Sequence, residues 1–375
     1  MITKQSIFLL TVLSSLFVTK VHAIWFSVEN SDGLTLKYQH INSDKEAEVV
    51  GVFPFWGGNI NIPEEVIYKG KTLKVTSIGA WAFKNLDNLT SITIPSTVTN
   101  IRIEAFSGCI KLKSLIIPQG VTSIGDRAFE NCYDLKTITI PNSIIFIGKY
   151  AFGSCEKLTS ATIPQGVESI EDGTFSGCYE LKSLTIPNSL TNIGSYAFSC
   201  CKSLPSITIP KGVTCINKGT FYACYSIKSM TIPNSVTSIG ENAFDGCDGL
   251  TSITIPNSVT NIEKEAFSYC FNIKKIISEI GNPFTINENT FTQEVYNKAE
   301  LHVPKGTKVK YNSLDGWKNF STIKESLPSN IQINENDETK EHKRYLLDGS
   351  IITTHKRGVN IIQMKNGMTK KIIVK

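Results

Sequence analysis

One fixed period runs through the middle of the chain in three columns at once. Pro95, Pro118, Pro141, Pro164, Pro187, Pro210, Pro233 and Pro256 are equally spaced. Phe83, Phe106, Phe129, Phe152, Phe175, Phe198, Phe221, Phe244 and Phe267 keep the same step, and so do the cysteines from Cys109 to Cys270. The shared unit reads Ala-Phe-x-x-Cys-x-x-Leu-x-x-Ile-x-Ile-Pro-x-x-Val-x-x-Ile-Gly. Its Leu-x-x-Ile-x-Ile segment ends in alternation of period two, which predicts a short strand with one buried face. The proline cannot donate into a ladder and ends that strand. Val-x-x-Ile-Gly then turns a corner, and Ala-Phe returns to plug the core from the far side. One such unit has no second layer to bury against, so the units must stack into a solenoid with a continuous core.

The Leu-x-x-Ile-x-Ile core of the unit fits the leucine-rich-repeat template L-x-x-L-x-L, with isoleucine in the later slots. Together with the Ala-Phe, Cys, Pro and Ile-Gly positions it resembles most closely the BspA-like leucine-rich repeats. That resemblance implies a mainly β, right-handed solenoid over residues 71–326, with residues 24–70 as an N-terminal β-cap. The terminal repeat departs from the consensus. Phe291 comes one position later than the period requires, and Leu301-His-Val-Pro304 replaces the Ile-Pro element. Trp317 and Phe320 are then placed to close the open end of the core, as a terminal repeat must.

The two ends read as address labels. Residues 1–23 hold Lys4, the apolar run Ile7 to Val18, and Val21-His22-Ala23, the pattern of a secretory signal peptide. Residues 327–343 are polar and linker-like. Residues 344–375 hold three apolar segments separated by glycine turns, which predicts a small antiparallel β-module. Tyr345 to Gly349, Lys356 to Ile362, Asn366-Gly367 and the lysine-rich end also resemble the C-terminal sorting domain of the type IX secretion system of Bacteroidota. That resemblance implies export to the cell surface or beyond. No further apolar stretch is long enough to span a bilayer as a helix, so the expectation is a mature chain without a transmembrane helix.

Charge narrows the partners. The chain carries a formal +5, but residues 340–375 hold nine Lys or Arg against Glu341 and Asp348. With Lys4 and Lys20 also removed, residues 24–339 stand at −4. A body of that sign is a poor match for nucleic acid, which is excluded as its partner.

Ten cysteines occur in the chain, and eight form the column Cys109, Cys132, Cys155, Cys178, Cys201, Cys224, Cys247 and Cys270. Identical side chains on parallel coils point the same way, side by side. The favoured reading is therefore a ladder of reduced, buried thiols packing as small hydrophobes. Disulfides are the alternative, with Cys200 as the first participant. No histidine lies in the consensus repeats, His40 and His302 falling in the two caps, and no C-x-x-C pair exists, so neither a metal site nor a Ser/Cys–His nucleophile is expected. No cofactor motif is present, and the chain reads as a non-enzyme.

What the array offers is surface. Thr93, Thr139, Thr162, Thr185, Thr208, Thr231 and Thr254, with Ile116 in the same column, are predicted to point outward from the strands. Serine or threonine stands two residues before each. These hydroxyl columns form a candidate binding face, flanked by Lys113, Lys136, Lys182 and Lys228; threonine's fit to a pleated strand explains them equally well. The resemblance implies an adhesin-like protein whose partners are proteins or glycans on host or bacterial surfaces. A structural component of the cell envelope without a soluble ligand is the alternative.

Overall fold

The computed structural model describes residues 25–41, 45–326, 341–346, 358–364 and 369–374. The segment read as a signal peptide lies outside them, as does most of the linker. The chain divides into two compact units, Met1–Glu325 and Ser326–Lys375.

The first unit is a β-solenoid of about eleven turns of roughly 23 residues each. It opens with an antiparallel meander of β1 (Trp25–Glu29), β2 (Thr35–Ile41) and β3 (Glu46–Val52). β4 (Gly58–Asn61) pairs in parallel with β7 (Leu89–Thr93), and β3 pairs in parallel with β6 (Lys71–Ile78). β5 (Glu65–Tyr68) closes a hairpin onto β6. Parallel coil-to-coil pairing thus already includes β3, β4 and β6, which lack the consensus Phe and Cys. Phe26 stacks on Tyr68 at 4.2 Å and on Tyr38 at 5.5 Å, covering the first end of the core. On β3 the buried Glu48 carboxylate is satisfied by Arg102 Nε at 2.6 Å, Ser77 Oγ at 2.9 Å and the Gln39 amide.

Each coil has three sides. The strand side carries Ser114–Ile116, Thr137–Thr139, Ser160–Thr162 and Ser183–Thr185 in one parallel sheet, with Thr139 opposite Ile116 and Thr162 opposite Thr185. The segment expected only to turn a corner forms a second parallel ladder of two-residue strands such as Asn100–Ile101, Ser123–Ile124 and Phe146–Ile147. Its isoleucines are buried, and the backbone N–H beyond each reaches the preceding coil, as Gly125 N–H does to Ile101 O at 2.8 Å. Coil-to-coil hydrogen bonds are cheaper than leaving those groups unpaired.

The third side carries the Phe column. Two residues before and two residues after each Phe from Phe83 to Phe267 the backbone enters the left-handed region. Trp81 and Asn85 flank Phe83, Tyr150 and Ser154 flank Phe152, and Gly173 and Gly177 flank Phe175. This alternation lets the Phe N–H leave the coil and donate to the next one, as Phe106 does to Ala128 O and Phe129 to Ala151 O, both at 2.8 Å. The rings stack from Phe83 to Phe291 with centroids 5.1–6.2 Å apart and planes within 20°. The longer final step is absorbed without loss of stacking, since Phe267 and Phe291 lie 5.1 Å apart. Beyond Phe291 come short helices at Gln293–Lys298 and Lys308–Ser313. Phe320 meets Phe291 edge-on at 5.3 Å, and the fully buried Trp317 donates its Nε1–H to Phe284 O at 2.8 Å.

In the second unit Glu341–Leu346, Gly358–Met364 and Thr369–Val374 form a three-stranded antiparallel sheet. Its first strand begins at Glu341, inside the stretch read as linker. A ladder needs only backbone groups, so the polar residues 341–343 did not signal it.

Candidate binding face

On the strand side, Thr139, Thr162 and Thr185 are exposed, together with Ser114, Thr137, Ser160 and Ser183. Leu115 and Ala161, between them in sequence, are buried. The period-two pattern therefore sets two rows of hydroxyls outward on adjacent strands. Ile116 stands in the outer row at 75% exposure, an apolar residue where neighbouring coils have threonine. It borders a cavity of about 440 Å³ with Ser91, Thr93, Ile94 and Ser114.

The column does not continue unchanged. Along one backbone position, Lys136 N–H donates to Lys113 O at 2.9 Å, Thr159 to Lys136 O at 3.2 Å and Lys182 to Thr159 O at 2.9 Å. The next residue in this register is Pro205, which has no N–H to give to Lys182. The sheet stops there, and Thr208 and Thr231 are exposed but lie outside the named strands. A polar groove of about 340 Å³ opens at the break, lined by Lys182, Ser183, Thr185, Asn188, Ser206 and Thr208. The ladder resumes with Lys228 N–H to Pro205 O at 3.2 Å. Thr93 is exposed on β7, whereas Thr254 is only half-exposed, because the larger Ile277 is its register partner on the next strand. Lys113, Lys136, Lys182 and Lys228 are exposed beside these strands. Pro205 was visible in the sequence as the one proline in its column, but the consensus hid it.

The cysteine column lies inside. Cys109, Cys132, Cys155, Cys178, Cys201, Cys224, Cys247 and Cys270 are all fully buried. Each Sγ lies 3.0–3.3 Å from the carbonyl oxygen of the Phe 26 residues earlier. The thiols thus point at backbone acceptors, and cysteine fits here because it is small, apolar and still a weak donor. Burial pushes the Cys109 thiol up to about 12 and the others further. Cys200 and Cys215 are the two half-buried cysteines. We propose that the ladder is reduced. With a thiol reagent near pH 8, the folded protein is expected to react quickly at Cys200 and Cys215 only, and the unfolded chain at all ten. Fewer than eight free thiols in the unfolded chain would overturn the reduced ladder.

Among the described residues, no group of three or more His, Cys, Asp or Glu is placed to hold a metal ion. His40 packs against Phe26 and Tyr68, and His302 lies 3.0 Å from Glu300. No helix among the described residues is long and apolar enough to cross a membrane.

The BspA type leucine rich repeat region matches residues 76–204 and 168–298, in six copies, which together span more than half of the chain. The chain belongs to the BspA-type leucine-rich repeat family. No curated protein matches this BspA-type chain. Among solved structures it is similar to a leucine rich cell surface protein from Faecalibacterium prausnitzii, at 25% identity over 81% of this chain and 96% of that one, with a TM-score of 0.44. A leucine-rich repeat protein from Bacteroides ovatus is 25% identical over 78% of this chain and 98% of that one, with a TM-score of 0.39. The leucine rich repeat protein of T. pallidum is 26% identical over 57% of this chain and 87% of that one, with a TM-score of 0.42.

Proposed function

We propose that this BspA-type solenoid is a surface-displayed binding protein, adhesin-like in role, that engages a protein or glycan on host or bacterial surfaces through its strand side. Residues 1–23 direct export in this reading, and residues 344–375 complete it as a type IX sorting signal. The observation that carries the reading is the exposed hydroxyl sheet of Ser114–Thr185, bounded by the apolar depression at Ile116 and the polar groove at Pro205. A flat row of hydroxyls supplies donors and acceptors to a macromolecule, and the two depressions give it register. Extended faces of this kind are how solenoids bind.

Surface plasmon resonance of the full chain against extracellular-matrix proteins and bacterial glycans is expected to yield a saturable partner. Replacing Thr139, Thr162 and Thr185 together by Lys should weaken that partner about tenfold or more, roughly 1.4 kcal/mol, with thermal stability unchanged because the sites are exposed. Silence from a folded protein, or binding indifferent to the triple variant, refutes the strand side as the binding face.

A further inference from the structure

The residue after each column cysteine turns on a flank distinct from the hydroxyl sheet. In successive coils this position holds Ile110, Tyr133, Glu156, Tyr179, Lys202, Tyr225, Asp248 and Phe271, so from Tyr133 onward every second coil presents an aromatic ring. At Tyr179 the next coil supplies a cation: Lys202 Nζ sits 4.0 Å from the ring centroid. At Tyr225 the corresponding position is Asp248, a carboxylate. Among the described residues, no cation sits over the Tyr225 ring.

The surroundings sharpen the contrast. Tyr222, Tyr225, Tyr269 and Phe271 are 40%, 50%, 57% and 46% exposed. Tyr269 and Phe271 meet edge to face at 5.7 Å. With Asp245 and Asp248 these four rings line a cavity of about 330 Å³. Asp245 is 8% exposed and accepts from the Asn242 amide at 2.9 Å, and Asp248 accepts from the Asn272 amide at 3.1 Å. Among the described residues neither forms an ion pair, and no Lys or Arg lines the cavity. Rings with a negative face, two carboxylates and no internal cation form a site of one electrostatic sign.

We propose that this cavity is a second binding site, for a cationic side chain of a partner protein, arginine or lysine, seated on the rings of Tyr225 and Tyr269 and paired with Asp248. The Lys202–Tyr179 contact is the internal version of the same interaction. Arginine suits the site best, because a planar guanidinium stacks on a ring while its edge reaches a carboxylate.

Isothermal titration of the full chain with a capped tetra-arginine peptide tests the site, with a tetra-glutamate peptide and a neutral oligosaccharide as comparisons. The arginine peptide is expected to bind saturably and the other two not. Tyr225→Phe, which keeps the ring, should bind as the parent does. Tyr225→Leu, which changes no charge, should weaken binding about five- to tenfold. Asp248→Lys, which copies the Lys202 arrangement, should abolish it. Arginine binding unaffected by Tyr225→Leu would reduce the site to general attraction by a negative surface and overturn the proposal. Binding of the oligosaccharide instead, lost with Tyr225→Leu, would reassign the rings to a glycan. Unchanged thermal melting of each variant excludes misfolding as the cause. Because this flank is separate from the hydroxyl sheet, the Thr139, Thr162 and Thr185 replacements should leave arginine binding intact.

Discussion

Phe152→Ala is expected to cost about 3–5 kcal/mol and to change the form of unfolding as well as its midpoint. Phe152 is fully buried, with Phe129 at 5.6 Å and 3° on one side and Phe175 at 5.4 Å and 18° on the other. Truncation removes both stacking contacts and leaves a gap that the neighbouring coils cannot close, because the hydrogen bonds on all three sides fix their spacing. In a stacked array, stability is the sum of each coil and its two interfaces. A weakened central interface therefore uncouples the coils on either side of it. Denaturant titration by circular dichroism should show one transition for the parent and two, or one of clearly lower slope, for Phe152→Ala. Phe83→Ala, at the first rung with Phe106 stacked on one face at 5.2 Å, should lower the midpoint without dividing the transition. A single transition of unchanged slope for Phe152→Ala would show that the ladder is not what couples the coils.

Legibility in this chain follows the period. A column that repeats reports what every coil needs, so the buried Phe rings, the buried thiols and the outward threonines up to Thr185 could be read directly. Backbone devices were not readable in the same way. The left-handed residues flanking the Phe column are Trp, Glu, Arg, Tyr, Ser, Asn, Cys and Ala as well as Gly, and no composition signal marks them. The corner ladder escaped because two-residue strands have no alternation to detect. Departures from the consensus carried the remaining information. Pro205 divides the hydroxyl sheet, and the exchange of Lys202 for Asp248 in one column separates a self-satisfied ring from an open one. Averaging the units into one consensus removes just these positions, which is why the unit specifies the scaffold and leaves the sites to its exceptions.

The same logic gives the second large effect, at Gly173. Two coils carry Ile-x-x-Gly-Thr-Phe in place of Ile-Gly-x-x-Ala-Phe, with Gly173 and Gly219 at the left-handed position. Other coils hold Trp81, Glu104, Arg127 or Asn242 there, so positive φ alone does not demand glycine. What distinguishes the two is the coil before. Gly173 follows Tyr150 by one full period, and Gly219 follows Tyr196 in the same way. A Cβ on Gly173 would lie 2.1 Å from the Tyr150 ring, and one on Gly219 would lie 2.2 Å from the Tyr196 ring. The Tyr150 ring in turn lies under the Arg127 guanidinium at 5.3 Å, so it is held from both sides. Gly173→Ala must expel that ring as well as bear a left-handed alanine. The expected cost is about 2–3 kcal/mol, of which roughly 1 is the backbone conformation. In a Tyr150→Ala background the ring is gone, and Gly173→Ala should cost only about 1 kcal/mol. The double-mutant cycle then reports a coupling of about 1–2 kcal/mol between residues in successive coils. Equal costs in the two backgrounds would mean that backbone strain alone selects the glycine, and that the tyrosine above it is incidental.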